Sequence, residues 1–173
     1  AELSNLYQDA VRREIAVLFQ DPVHYHATVR ENIAFGDVDC ISDHARAWQS
    51  AHGAGALEPI ERLPGGFEAI LGKWFGGAEL SGGEWQRIAL AREFFRQASL
   101  IILDEPFSGF DPVNAETIKN EILELNKKGA TILFSTHRME SVEELCDSIA
   151  LINKSHKILD GTVKGIKNSY RNS

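Results

Sequence analysis

Leu100-Ile101-Ile102-Leu103-Asp104-Glu105 is a run of four apolar side chains closed by two acids. An unbroken apolar run of this length suits a strand packed on both faces, as in the parallel sheets of α/β proteins. Residues 15–19 (IAVLF) and 131–135 (TILFS) read the same way. Residues 149–152 and 157–159, separated by Asn153, Lys154 and Ser155, predict a terminal hairpin. Helical patterns lie between the strands. Over 113–128, Ile118, Ile122 and Leu125 recur at helical spacing, Lys127 and Lys128 occupy the last turn, and Gly129 supplies a stop. A second helix is predicted over 81–97, burying Trp85, Ile88, Ala91, Phe94 and Phe95. A third is predicted to begin near Ser141, with Ser141 and Glu144 as a capping box.

Residues 28–77 differ in character. They hold helical pieces, the clearest over 41–57, broken by glycine and proline, with no convincing strand. The pattern is an α/β core interrupted by a helical insertion. With so little strand sequence ahead of residue 15, part of the sheet is expected to be missing from the chain. A length of 173 residues is one domain's worth, and 43% hydrophobic with 25% charged residues is ordinary globular composition. The net charge of -7 argues against a nucleic-acid surface, so no nucleic-acid partner is expected. Cys40 and Cys146 form no CxxC pair, which disfavours a zinc site or disulfide framework and points to a reducing compartment. No apolar run is long enough to span a bilayer, so any service to a membrane is from the side.

Four places carry chemistry. In Leu80-Ser81-Gly82-Gly83-Glu84, two glycines let a ligand come close to the backbone at a helix start, where amides and the helix dipole favour a phosphate oxygen. Ser81 and Glu84 also make an ordinary capping box. Asp104 and Glu105 end a buried strand at the carboxyl edge of the sheet, where α/β ligands bind. Asp104 suits magnesium and Glu105 suits polarising a water, although solvated acids at a strand end are also common. His137 follows the strand TILFS and is placed to reach the same edge, and Gln20 follows IAVLF in the same manner. Neither says much alone. His24 and His26 flank Tyr25 without an evident third ligand, so metal binding there is not expected, and Trp48, Trp74 and Trp85 read as packing residues.

Taken in order, Gln20, LSGGE at 80–84, LIILDE at 100–105, Ser108-Gly109-Phe110-Asp111 and His137 resemble the ATP-binding domains of ABC transporters. In that family these are the Q-loop, the signature, Walker B with its glutamate, the D-loop and the switch histidine. The resemblance implies a P-loop NTPase core with an inserted helical subdomain: 1–27 partial core with the Q-loop, 28–97 helical subdomain with the signature, and 98–173 the rest of the core. It implies ATP and magnesium as cofactors, Asp104 and Gln20 near the metal, Glu105 as base and His137 on the γ-phosphate. Gln20, Ser81, Gly82, Gly83, Glu84 and Asp111 would contact nucleotide, the signature reaching across a head-to-tail dimer with a second ATPase domain. A transmembrane permease is the other implied partner, at the cytoplasmic face of a membrane.

The chain departs from the family pattern in three places. Glu84 stands where glutamine is usual, and Phe110 stands in an apolar D-loop slot. No G-x-x-x-x-G-K-[ST] occurs: the nearest pair, Gly72-Lys73, has Phe67 at the first glycine position and Trp74 after the lysine. The chain is therefore expected to be truncated at its amino end and inactive alone. Residues 1–99 resemble exporters with a fused membrane domain, and those from about 107 resemble stand-alone subunits, as a recombined, misassembled or chimeric sequence or a divergent subfamily would. Two alternatives to a transporter ATPase are a module that donates its signature to a partner's ATP site and a soluble ABC ATPase.

Overall fold

A computed structural model of the chain describes residues 8–72, 77–108 and 110–171; readings that fall on Lys73, Trp74 and Gly109 lie outside the described residues. Two compact units form, one ending at Ser135 and the other starting at Thr136.

The first unit is built on a parallel sheet in the order β1 (Ile15–Leu18), β2 (Leu100–Asp104), β3 (Thr131–Ser135). Ile15 pairs with Leu100, Leu18 with Leu103, and Asp104 with Ser135. Between β1 and β2 come α2 (Val29–Ala34), α3 (His44–Gly53), α4 (Leu57–Glu61) and α5 (Gly82–Arg96), preceded by α1 (Gln8–Arg13) ahead of β1. Between β2 and β3 comes α6 (Pro112–Lys127). The helix α5, about 22 Å long at 1.5 Å per residue, is the centre of packing. Trp85, Ile88, Ala91, Phe94 and Phe95 are buried as expected, and so are Gln86, Ala89, Leu90 and Arg92. The chain passes so close to α5 at Gly36 that a Cβ there would lie 2.1 Å from the Arg92 carbonyl oxygen. Only glycine allows that approach.

Period-two alternation puts Ala16, Leu18, Ile101 and Leu103 on one face of the sheet, all buried. The opposite face, carrying Ile15, Val17, Leu100 and Ile102, is only partly covered, and Leu133 on β3 is 59% exposed. The expectation of strands covered on both faces is therefore corrected: the described helices cover one face and leave the other open. The amide of Val17 on the outer strand is nonetheless occupied, since it donates to Glu93 Oε2 of α5 at 3.1 Å.

Two helix readings also change. The helix expected over 41–57 is split: Asp43 caps α3 by accepting from the Arg46 amide at 2.9 Å, and Gly55, at φ +64°, turns the chain into α4. The reason is the glycine pair Gly53 and Gly55, which ends α3 early. In the second unit, α7 (Met139–Leu145) starts two residues before Ser141, which is buried within the helix and caps nothing at its start. The Thr136 hydroxyl, accepting from the Arg138 amide at 3.1 Å, makes the turn that precedes α7. The predicted hairpin is present as antiparallel β4 (Ser148–Asn153) and β5 (His156–Thr162), followed by α8 (Val163–Arg171). Lys154 and Ser155 form its two-residue turn with φ of 47° and 63°, the left-handed pair that matches strand twist. No described helix is long and apolar enough to cross a membrane.

Candidate functional site

Because β1, β2 and β3 run parallel, their carboxyl ends share one edge. Gln20 lies two residues beyond Leu18 and is exposed, while Asp104 and Glu105 follow Leu103, the partner of Leu18. The Ser135 hydroxyl donates to the Asp104 carboxylate, which fixes the acid's orientation at the edge. The Glu105 amide donates to the Ser135 carbonyl at 3.1 Å, and its own carbonyl accepts from Ser108 at 3.0 Å. These bonds hold Glu105 at φ +46°, a region that costs a non-glycine residue about 1–3 kcal/mol. A half-buried acid is thus held against its backbone preference at the sheet's carboxyl edge. The oxygen donors of Gln20 and Asp104 fit a hard cation such as magnesium, which takes one or two carboxylates and fills its shell with water and phosphate. Among the described residues no group of three or more His, Cys, Asp or Glu side chains is placed to hold a metal ion. His137 lies in the second unit, exposed, between Thr136 and Arg138.

The signature segment forms the start of α5. Ser81 Oγ accepts from the Glu84 amide at 3.3 Å, and Glu84 Oε2 accepts from the Ser81 amide at 2.7 Å, a reciprocal capping box. The capping-box reading of SGGE is thus the one present in the fold. The box consumes the amides of Ser81 and Glu84 and leaves those of Gly82 and Gly83 at the first turn, where no intrahelical acceptor exists. Apart from its chain neighbours and the helix's own backbone, no atom lies within 4 Å of where a Cβ on Gly82 would sit. Burial alone would raise the Glu84 carboxyl, but the Ser81 backbone and hydroxyl bonds and the Arg62 guanidinium outweigh it and hold it below the ordinary value. Asp111 caps α6, accepting from the Val113 and Asn114 amides at 3.0 and 3.1 Å, and its Oδ2 lies 3.7 Å from the Arg87 guanidinium. The Asn114 side-chain bond, then the Asn114 amide, keep its carboxyl low.

Sequence reasoning missed the residues that tie the loop after Gln20 to α5. Arg92, buried, donates to the Val23 carbonyl at 3.2 Å, to the Asn32 carbonyl at 2.7 Å and to Asn32 Oδ1 at 3.3 Å. Its guanidinium also sits 4.6 Å from the Tyr25 ring centre. His24 stacks on Trp85 at 4.1 Å between ring centres, and burial, aided by Arg92 and opposed by Asp21, lowers its pKa. His26 Nδ1 lies 2.7 Å from the Leu71 carbonyl, so both histidines have structural work and their segment is not a strand. An open cleft of about 410 Å³ lies here, lined by Tyr25, Leu71, Leu80 and Trp85 among others. The only advance signal was Thr28 and Glu31, a capping box spelled in the sequence and formed in α2. Arg92 has none, because a charge inside an apolar helix pattern names no partner.

A family model described as ABC transporter matches residues 2–108. Among curated relatives, the subtilin transport ATP-binding protein SpaT of Bacillus subtilis is 37% identical over 161 residues, covering 92% of this chain and 26% of that protein. The ATP-dependent lipid A-core flippase of Desulfotalea psychrophila is 31% identical over 161 residues, covering 93% of this chain and 27% of its own length. An uncharacterized ABC transporter ATP-binding protein of Alkalihalophilus pseudofirmus is 47% identical over 94 residues, 54% of this chain and 35% of the relative. The chain thus spans roughly a third or less of the length of the curated relatives it matches. Among solved structures, a bacterial Atm1-family ABC exporter with ATP bound superposes with a TM-score of 0.83 at 24% identity, over 97% of this chain and 28% of that one, a likeness of fold. The chain belongs to the ABC transporter family.

Proposed function

We propose that this sequence couples ATP binding and hydrolysis to transmembrane transport as part of an exporter's ATP-binding domain, and that the 173 residues alone do not turn ATP over. The reading is supported by the parallel register of β1 and β2, which ends both strands at one edge, with Asp104 closing β2 and Gln20 two residues past Leu18. Asp104 holds magnesium directly or through water, with Gln20 beside it; Glu105 polarises the attacking water; and His137 contacts the γ-phosphate. Magnesium held there would supply positive charge to offset that of the phosphoryl oxygens. Ser81, Gly82 and Gly83 serve a nucleotide held by a second ATPase domain, with Glu84 shaping the helix start and Asp111 ordering the D-loop. The cleft between the loop after Gln20 and α5 is the docking place for a transmembrane partner, which sets the domain at the cytoplasmic face of its membrane.

A second reading has support of its own: the chain as a signature donor to another subunit's site. The start of α5 is formed and capped, with room at the Gly82 Cβ position, whereas no G-x-x-x-x-G-K-[ST] occurs in the chain to cradle phosphates. Calorimetry of the isolated chain with MgATP is expected to show no micromolar binding; micromolar binding would overturn the inactivity of these residues alone. Mixed with an intact ABC ATPase domain slowed in hydrolysis, the chain is expected to form an ATP-dependent heterodimer. Ser81→Arg should abolish it by placing bulk and charge at the phosphate contact. Arginine is preferred to alanine because a lost cap costs only about 1 kcal/mol. If Ser81→Arg pairs as well as the parent while its circular dichroism is unchanged, the signature donates nothing.

A further inference from the structure

Glu84 poses an electrostatic problem at the start of α5. The family's usual glutamine is neutral, whereas Glu84 adds a negative charge within the turn that presents the Gly82 and Gly83 amides. Its side chain is 18% exposed, so water screens that charge poorly. A carboxylate is welcome at a helix start by itself, since it complements the dipole. It becomes a liability when a phosphate must enter the same turn, because like charges at short range in a partly dry site repel strongly.

The neighbouring helix supplies the counter-charge. Arg62, the residue that closes α4, donates from its guanidinium to Glu84 Oε1, while Oε2 remains on the Ser81 amide. Arg62 Nε also reaches Glu58 Oε1 at 2.8 Å. Glu58 is 70% exposed and solvated, so the carboxylate most in need of Arg62 is the sheltered one, Glu84. The alternation continues: Arg87 lies 4.0 Å from Glu58 and 3.7 Å from Asp111, the cap of α6. Arg62 is itself fixed by its place at the end of α4, where its amide donates to the Glu58 and Ile60 carbonyls.

We infer that Arg62 is a positioning residue that neutralises Glu84, so that the start of α5 accepts the phosphates of a nucleotide held by a partner ATPase domain. The inference rests on the signature-donor role set out above. It explains why glutamate is tolerated at the fifth signature position of this chain: the fold carries the matching cation across from α4.

The test compares the parent chain with Arg62→Gln, Glu84→Gln, the double variant and Arg62→Lys. Each is titrated against an intact, hydrolysis-slowed ABC ATPase domain loaded with MgATP, with association followed by sedimentation. Arg62→Gln is expected to weaken pairing on the order of tenfold or more, the repulsion of one uncompensated charge near phosphate. Arg62→Lys, which keeps the charge, should stay within a few fold of the parent, and Glu84→Gln serves only as the background against which the double variant is read. The double variant should recover most of the loss, because its charge balance is restored. In the isolated chain, a carboxyl-carbon NMR titration of Glu84 should move upward in Arg62→Gln, which a purely steric role would not produce. A double variant as weak as Arg62→Gln, or an Arg62→Gln chain that pairs like the parent, overturns the inference and leaves the signature reading standing. Failure of the parent itself to pair overturns both.

Discussion

In a chain extended with a P-loop segment so that it hydrolyses MgATP, Glu105→Gln is expected to slow turnover by two to four orders of magnitude, the usual worth of a positioned general base. MgATP affinity should stay within a few fold, because the side chain acts on water and not on the nucleotide. The backbone argues that the substitution is clean. Glu105 is held at φ +46° by its amide on the Ser135 carbonyl and by Ser108 on its own carbonyl. Neither of these bonds involves the side chain, so both persist when glutamine, of nearly the same shape but without the charge, takes its place. Phosphate release and equilibrium nucleotide binding measured on one preparation separate the two effects. Turnover near that of the unmutated extended chain would show that Glu105 is not the base.

The second large effect concerns stability against pH. The Glu93 carboxyl is pushed up to about 7 from its ordinary 4.5, chiefly by burial, against the pull of Arg92, the Val17 amide and Arg96. The folded chain therefore keeps a proton that the unfolded chain gives up near 4.5. Between those values the folded state binds more protons, so its stability falls as pH rises. The contribution is fully present below 4.5 and lost as pH passes 7. Two and a half pH units correspond to about 3 kcal/mol, within a protein's ordinary net stability of about 5–15 kcal/mol. Glu93→Gln keeps an acceptor for the Val17 amide without a charge to bury. Urea unfolding at pH 5, 6.5 and 8 should show a flatter profile for the variant, with a gain of about 2–3 kcal/mol at pH 8. Parallel profiles for parent and variant would mean that Glu93 titrates normally in the folded chain.

The strands were legible because their signal is local. Leu100–Asp104 and Thr131–Ser135 are bounded as read, since β-branched runs flanked by polar residues admit little else. What covers a strand is not local, and an apolar run cannot say whether one face or two will be packed. For that reason Leu133 reads as core and is exposed. The caps show the same limit. Ser81 and Glu84 cap α5 as their spacing requires, but Ser141 and Glu144 have that spacing and do not, because the Thr136 turn starts α7 earlier. Motif order singles out Asp104, Glu105 and Gln20, and the parallel register ends β1 and β2, which precede them, at one edge. Arg92, Asn32 and Arg62 act through partners tens of residues away or on another helix, and sequence spacing carries no trace of such pairs.

The path of the chain through its sheet also has a consequence for how the fold is reached. β2 and β3 are joined by α6 alone, so they meet across a single helical connection. β1 meets β2 only across the whole helical insertion, a long loop whose closure is the slow and entropically costly event in assembly. Packing of α2 and α3 onto α5 shortens the effective loop between β1 and β2, since α5 leads directly into β2. Glu93 of α5 then takes the Val17 amide, and Arg92 takes the Val23 carbonyl just beyond β1. By loop-closure cost, pairing of β1 with β2 is expected to follow pairing of β2 with β3, an order that pulse-labelled hydrogen exchange of the β1 and β3 amides would test.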